Sequence, residues 1–242
     1  MRIGGGVALA VPNDPSGFWS KVLALGFAEP VTAEILADII EFYRACGMTA
    51  ATLQLAPEVL PPDWADMSAK LNISDTGTAW VKLAGDLSVV TARSRAAARL
   101  ADGLRVEHVP ANRGREWAET TLQVFGLPDG HQAEMGAGTV GRPGWQSFAV
   151  FEGPTIVATG GLHVTGTVGH PFGAATLPAA RGRGAQSALI AARAAAAQEA
   201  GCDWLVAETF AEQPGGHNSS LHNMLRAGMS IRYQRQNWRL HV

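Results

Sequence analysis

The sequence predicts an α/β fold in which helices alternate with strands along 242 residues. In several segments apolar residues recur at helical spacing, and a glycine then ends the segment. Between these helices lie short apolar segments, bounded by glycine and proline, that are typical of strands. Residues 187–200 contain eight alanines, so a helix is predicted there from intrinsic propensity alone.

The first half of the chain contains a clear amphipathic helix at residues 32–46, with apolar side chains on one face. Thr32 suits its N-cap, and Gly47 is a natural C-terminal stop. The elements predicted after it are a strand at 49–57, a short helix at 61–73, a strand at 76–87, and a helix or connector at 91–101.

The second half opens with a strand at 104–110, followed by an amphipathic helix at 112–128. Trp117, Leu122 and Phe125 are expected to face inward from this helix. Residues 129–145 are rich in glycine, aspartate and proline, and they are predicted to form a loop.

A hairpin follows, with its turn at residues 152–154, and then a third strand at 168–177. Pro171 and Gly173 interrupt that strand, so an irregularity is expected in its pairing. The remaining predicted elements are a helix at 184–200, a strand at 202–210, a helix at 218–228 begun by Asn218 and ended by Gly228, and a closing strand at 229–242.

The order of elements repeats between the two halves. Helix, glycine, strand, helix and strand occur in residues 32–86 around Gly47, and again in residues 183–242 around Gly201. An old internal duplication and coincidence both explain this order, because a helix that ends at glycine before a strand is common. We divide the chain into a first half at 1–102 and a second half at 103–242.

The composition and the apolar pattern limit the classes of binding partner and the cellular compartment expected for the protein. The net charge is −2, so nucleic-acid binding is not expected. The longest apolar runs are far short of the roughly 18–20 residues that span a bilayer, so no membrane span is expected. The first residues do not have the pattern of a signal peptide. Cys46 and Cys202 lack metal-ligand spacing and are expected to be reduced thiols in a cytoplasmic protein, and no metal site is predicted.

The stretch from Arg181 to Ser187 has the features of an anion-binding loop. It reads Arg-Gly-Arg-Gly-Ala-Gln-Ser and joins the end of a strand to the start of the alanine-rich helix. The helix start offers free N–H groups and partial positive charge, and glycines allow close approach. A plain strand-to-helix turn with solvated arginines is the alternative.

Two phosphate-binding motifs fit this loop poorly. A P-loop requires a lysine, and the loop has none. A dinucleotide fingerprint requires a third glycine or an alanine where Ser187 stands, and no second βαβ unit with an acidic ribose ligand follows.

The loop resembles the acetyl-CoA pyrophosphate loop of the GNAT acetyltransferase superfamily, Arg/Gln-x-x-Gly-x-Gly/Ala. Arg181 and Gly184 match that motif, and Gln186 replaces its last small residue. The segment at 218–229, NSSLHNMLRAGM, is similar to the family's following helix, with Met229 in place of phenylalanine. The element order over 103–242 matches the family, and the first half resembles the degenerate GNAT-like half of tandem bacterial members in outline.

The resemblance implies the GNAT fold, a mixed and mostly antiparallel central sheet flanked by helices, and acyl transfer from acetyl-CoA to an amine. The thioester would lie where strands 168–177 and 203–210 separate. The cofactor-binding residues that it implies are Ala174, Ala175, Thr176, Leu177, Arg181, Gly182, Arg183, Gly184, Ala185, Gln186, Ser187, Asn218 and Asn223.

The catalytic groups are less well defined by the sequence. Glu208, on the strand beside the expected cleft, is the best candidate for a general base, although a solvent-facing carboxylate is the simpler interpretation. Other candidates are Glu152, His163 and His170, and a water chain would make a protein base unnecessary. The tyrosine that the family often uses as the acid is absent, because Met224 and Leu225 occupy that region.

The leading hypothesis is therefore a direct-transfer N-acetyltransferase acting on a small-molecule or peptide amine, and we consider a homodimer as its assembly. A non-catalytic CoA-binding or sensor protein is the alternative, because the tyrosine is missing and Gln186 departs from the motif. A scaffold that has lost the cofactor is a third interpretation.

Overall fold

A computed structural model describes residues 1–127 and 130–242. Positions 128 and 129, at the end of the predicted helix and the start of the predicted loop, lie outside the described residues.

The chain divides into two compact units, one of residues 1–81 and 233–242 and the other of residues 82–232. This division differs from the boundary expected after residue 102, because residues 82–102 pack with the second unit and the last ten residues with the first. The assignment of a GNAT-like half to residues 1–102 stays a prediction.

The elements agree closely with those expected from the sequence. The helices are α1 (Ala33–Ala45), α2 (Trp64–Lys70), α3 (Leu87–Ala97), α4 (Gly114–Phe125), α5 (His131–Ala137), α6 (Ala185–Glu199) and α7 (Ser219–Arg226). The strands are β1 (Arg2–Ile3), β2 (Gly6–Leu9), β3 (Lys21–Leu23), β4 (Ala50–Leu55), β5 (Ile73–Asp86), β6 (Leu104–His108), β7 (Trp145–Glu152), β8 (Thr155–Thr165), β9 (Val168–Thr176), β10 (Trp204–Phe210) and β11 (Ser230–His241). Within the described residues, no helix has both the length and the apolarity needed to cross a bilayer.

In the first unit the strand order is β1-β2-β3-β4-β11-β5. Where the register between neighbouring strands is defined, the pairing is antiparallel, except between β3 and β4, which are parallel. Helix α1 begins as expected, because the Thr32 side chain accepts a hydrogen bond from the Ile35 N–H. Its Leu36, Ile39 and Tyr43 are fully buried in the core of this unit. The short strands β1 to β3 were not predicted.

In the second unit the order is β5-β10-β9-β8-β7-β6. The strands from β6 to β9 pair antiparallel, and β9 pairs parallel with β10. The predicted mixed and mostly antiparallel sheet with flanking helices is confirmed. The hairpin between β7 and β8 also turns where the sequence indicated, at residues 153–154.

Two expectations for the segment around α4 were wrong. Trp117 and Leu122 are buried as predicted, but the Phe125 side chain, in the last turn of α4, is half exposed. The predicted loop at 129–145 contains helix α5, which packs on α4 and buries Ala133. Glycine-rich composition suggested a loop, but tertiary packing on α4 overrides weak local propensity.

The irregularity expected in the strand at 168–177, which is β9 in the structure, is a β-bulge. Gly161 pairs with Phe172 and Thr159 pairs with Ala175, so one residue of β8 lies opposite two residues of β9. Gly173, in the bulge, has a φ of +58°, a left-handed conformation that glycine adopts without strain.

Adjacent glycines in β8 make room for large side chains on opposite faces of the sheet. A Cβ on Gly160 would lie 3.2 Å from Cζ of Arg193 in α6. A Cβ on Gly161 would lie 2.2 Å from the ring of Phe172, which in turn makes edge contacts with Trp117 and Trp145. Successive residues of a strand face opposite sides of the sheet, so the side chains that the two glycines accommodate lie on opposite faces.

We expect Gly161→Ala to lower the free energy of unfolding by about 1–3 kcal/mol, because the new methyl group overlaps the Phe172 ring. Urea denaturation measures this loss. In a Phe172→Ala background the same Gly161→Ala change should cost much less, since the obstructing ring is gone. An equal cost in both backgrounds would contradict this steric explanation.

Candidate functional site

The central feature of the site is an opening between β9 and β10. The two strands pair only at their starts, where Val168 lies opposite Trp204 and Gly169 opposite Leu205. Beyond Gly169, β9 continues along β8 as far as Thr176 and has no further register with β10 within the described residues. The β9 edge that faces the opening therefore presents backbone N–H and C=O groups that no strand pairs.

The residues expected to hold the pantetheine arm lie along this strand end. Ala174 is in the bulge, whereas Ala175 and Thr176 pair with β8 on the closed side. The Leu177 N–H donates to the Val157 carbonyl at 2.9 Å and ends the strand. The structure thus brings Ala174 to Leu177 to the open edge of β9, directly before the anion-binding loop.

The start of α6 has the geometry of an anion site. Gly182 and Gly184 both have positive φ, at +74° and +82°. Gly184 is the N-cap and, having no side chain, leaves the first turn without a capping group. The first N–H groups of a helix have no partner within the helix. No acceptor for the N–H groups of residues 184–187 is found in the described part of the chain.

This helix start is held in place by the connector between α3 and β6. A Cβ on Gly184 would lie 1.8 Å from the Arg99 carbonyl oxygen, a separation that no side chain tolerates. The Ala101 N–H donates to the Arg183 carbonyl at 3.1 Å. A Cβ on Gly182 would have no atom of the described residues within 4 Å, so of these two glycines Gly184 is the one fixed by close packing.

The two arginines of the loop have different environments. Arg183 forms a 2.7 Å ion pair with Glu152 at the end of β7, and this hydrogen bond lowers the pKa of Glu152. Glu152 therefore anchors the loop. Arg181 is exposed, and its Nε makes only a long 3.4 Å contact with the Thr176 carbonyl. Arg181 is thus the better placed of the two for an anion.

Gln186 and Asn223 join α6 to α7. The Asn223 side-chain amide donates to the Gln186 side-chain oxygen, and Arg226 donates to the Asn223 oxygen. Both side chains are half-buried. The residue that departs from the family motif is therefore occupied in packing two helices together.

Asn218 has a structural role. Its side-chain oxygen accepts from the N–H groups of Ser220 and Leu221 and caps α7. Its side-chain nitrogen donates to the Thr209 hydroxyl at 3.0 Å and to the Phe210 carbonyl at 2.7 Å. An asparagine amide has two donors and two lone pairs, so these four bonds use its capacity. Asn218 ties the end of β10 to the start of α7 and positions the cleft wall.

The predicted base, Glu208, lies on β10 and forms a half-buried ion pair with Lys82 of β5, with 2.8 Å between the charged atoms. His163 lies beside the Trp145 ring, 4.4 Å between centroids, and opposite His170 in the β8–β9 register. Tyr43 is excluded as an acid, because its hydroxyl donates to the Leu9 carbonyl and burial raises its pKa well above the ordinary value.

Sequence reasoning missed Arg193, an arginine within the alanine-rich helix. Its side chain is buried, and burial lowers its pKa to about 10. Nε donates to the Leu189 carbonyl at 2.9 Å, and Nη1 lies 3.4 Å from the Phe172 carbonyl beside the bulge. A lone charged residue in an apolar helix segment was the available signal, but only the Gly160 gap in β8 explains where the guanidinium fits.

Neither cysteine forms a disulfide, as expected. Burial raises the pKa of the Cys202 thiol, which favours the protonated form and argues against a nucleophilic role.

Comparison with known proteins gives structural matches alone. No protein-family model and no curated protein sequence matches the chain. The structure is similar to a GCN5-related N-acetyltransferase from Kribbella flavida, with 16% identity, a TM-score of 0.69, and coverage of 98% of this chain and 87% of that one. A second such enzyme, from Sphaerobacter thermophilus, has 17% identity, a TM-score of 0.66 and coverage of 86% and 67%.

A third match is a tandem GNAT protein from the clavulanic acid biosynthesis pathway, with 13% identity, a TM-score of 0.64 and coverage of 91% and 74%. These identities are too low to transfer an activity, but the matches span most of the chain. The chain has the fold of the GNAT acetyltransferases.

Proposed function

We propose that the protein is an acyl-CoA-dependent N-acetyltransferase that moves an acetyl group directly from acetyl-CoA to an amine. The observation that carries this proposal is the continuity of the opening between β9 and β10 with the uncapped start of α6. An acyl-pantetheine arm needs a strand edge, and its pyrophosphate needs an anion site at one end. The fold shared with known acetyltransferases supports the proposal.

The residues present fit the co-substrate. The N–H groups of residues 184–187 would bind the pyrophosphate, helped by the helix dipole and by Arg181. The open edge of β9 at residues 174–176 would hydrogen-bond the pantetheine amides. Asn223 and Gln186, expected as direct ligands, would instead act by fixing α7 against α6.

The reaction balances without a covalent enzyme intermediate. The neutral amine attacks the thioester carbonyl, the C–N bond forms, and the C–S bond breaks as CoA thiolate leaves. The amine proton passes to a base, and the thiolate takes a proton from solvent or remains ionised. A thiol with a pKa of about 8.5 is a fair leaving group near neutral pH, so the missing tyrosine does not prevent the reaction.

We propose Glu208 as the group that accepts the amine proton. Its position on β10, the strand that borders the opening, supports this role. The Lys82 ammonium at 2.8 Å holds the carboxylate in one orientation. A general base of this kind contributes about 10²- to 10⁴-fold to the rate.

The acceptor that we propose is a small-molecule or peptide amine, the compartment is the cytoplasm, and the assembly that we propose is a homodimer. A non-catalytic CoA sensor is the second candidate. It is favoured by the absence of a tyrosine from α7, where Met224 is buried.

We expect Gly184→Ala to weaken acetyl-CoA binding on the order of 100-fold, as loss of two charge-assisted hydrogen bonds implies. The added methyl group must displace the Arg99 carbonyl and so moves the start of α6. Titration calorimetry measures the affinity, and circular dichroism checks the fold.

Gly182→Ala is the matched control for this experiment. It has the same positive φ but no neighbouring atom within 4 Å, so a loss of no more than about tenfold is expected. S-acetylpantetheine, which lacks the pyrophosphate, should bind both variants like the wild type. Equal acetyl-CoA affinity in wild type and Gly184→Ala would contradict the assignment of the loop.

We expect Glu208→Gln to lower the acetyl-transfer rate by about 100-fold while leaving acetyl-CoA affinity within about twofold, because it removes the proton acceptor and keeps the shape. Release of free thiol with a panel of primary amines measures the rate. Lys82→Met tests whether loss of the ion pair alone produces the same change. Acetyl-CoA binding without thiol release by the wild type, with every amine, would instead support the sensor.

A further inference from the structure

Two histidines, His217 and His222, lie close together because of their positions around the N-cap of α7. Asn218 is the N-cap of α7, so His217 precedes the cap and His222 is the fourth residue after it. Side chains at these two positions contact each other at many helix starts. Here the imidazole rings stack, with centroids 4.5 Å apart and planes 20° from parallel.

Glu212 closes the group from the other side of the loop. One of its carboxylate oxygens accepts from the Asn218 N–H at 2.6 Å. The same oxygen lies 3.0 Å from Nε2 of His222 and 3.9 Å from Nδ1 of His217. One ligand atom from each residue lies within 4.8 Å of those of the other two.

We propose that Glu212, His217 and His222 form a binding site for a divalent transition-metal ion, with Zn²⁺ the best match. Two imidazole nitrogens and one carboxylate oxygen are a donor set typical of zinc, with metal–ligand distances of about 2.0–2.2 Å. In a tetrahedral site such distances place the ligand atoms about 3.3 Å apart, so the two rings must rotate out of their stack before both nitrogens point at one ion. Both rings reach solvent, which leaves room for that rotation. Water would fill the fourth position, because the cluster is exposed.

The charge of the cluster supports a cation. Glu212 contributes a carboxylate, an anionic ligand, next to the two imidazoles, and one of its oxygens accepts the Asn218 N–H at 2.6 Å. The N–H groups of Ser220 and Leu221 are already satisfied by the Asn218 cap. The partial positive charge of the helix start is therefore offset by a full negative charge next to the cation.

The preference among metals follows from the ligands. Imidazole favours zinc, copper, nickel and cobalt, whereas Mg²⁺ and Ca²⁺ require oxygen ligands. The spacing of four residues between Glu212 and His217, and again between His217 and His222, matches no familiar zinc motif. Only the folded loop reveals the group, and for this reason the sequence predicted no metal site.

A metal at this position would crosslink the loop to the first turn of α7. Asn218 already connects that turn to Thr209 and Phe210 at the end of β10. The ion would thus fix the segment that ends the cleft-lining strand. This inference does not rest on the proposed acetyltransferase activity, because metal binding is measured without any acyl donor.

The test uses the full chain, freed of any histidine tag and treated with a chelator. Titration calorimetry with ZnCl₂ is expected to show one ion per chain, and Co²⁺ should give the visible absorption of a four-coordinate site. Saturating Zn²⁺ is expected to raise Tm by about 5 °C. MgCl₂ should produce neither effect.

Glu212→Gln, His217→Gln and His222→Gln should each weaken Zn²⁺ binding on the order of tenfold or more. Glu212→Gln retains an oxygen for the Asn218 N–H, so the loop keeps its fold. His131→Gln is the matched control, because His131 lies 3.5 Å from Glu134 in an exposed pair that has no third ligand among the described residues. Zn²⁺ binding that is absent below about 100 μM, or that survives in all three cluster variants, would overturn the proposal.

Discussion

The second unit is organised around a single close contact, that of Gly184 with the Arg99 carbonyl. A Cβ at this position would lie 1.8 Å from the oxygen, so the helix start and the connector after α3 fit together only while residue 184 is glycine. The direction of α6, and with it the aim of its first N–H groups, follows from this packing. Arg183 and Glu152 then hold the far side of the loop. The start of α6 is therefore held in one orientation by backbone contacts, and an anion that binds there as proposed would find its donors preorganised.

A second constraint acts at the bulge of β9. Gly160 and Gly161 leave space on opposite faces of β8, one for the buried Arg193 guanidinium and the other for the Phe172 ring. Arg193 approaches the Phe172 carbonyl just before the chain bulges. Buried charge is costly unless its donors are satisfied, and backbone carbonyls next to a bulge offer acceptors. The shape of the strand edge and the burial of an arginine are therefore two aspects of the same packing.

The sequence predicted most of the fold because its helix caps and stops are local signals. Thr32, Asn218 and the glycines that end helices mark boundaries through contacts with neighbours in the chain. The strands within residues 1–23, helix α5 and the exposure of Phe125 depend on distant contacts, so local pattern missed them. At the site, glycine and arginine spacing indicated the left-handed turn and the helix start without a side-chain cap at residues 182–185, whereas anion binding there stays a prediction. The role of Arg193, the bonds from Asn218 to Thr209 and Phe210, and the grouping of two histidines with Glu212 depend on three-dimensional packing and could not be read in this way.

Because β9 pairs with β10 over so few residues, backbone N–H and C=O groups along the opening lack hydrogen-bond partners from a neighbouring strand among the described residues. A sheet usually satisfies its polar groups by itself, but here two interior strands separate after two residues of register. Water must hydrate that seam until another molecule supplies matching donors and acceptors. The amide protons on the strand edges that face the opening should therefore exchange with solvent far faster than those of the paired flanking strands. Amide exchange along β9 thus reports directly whether the seam is filled.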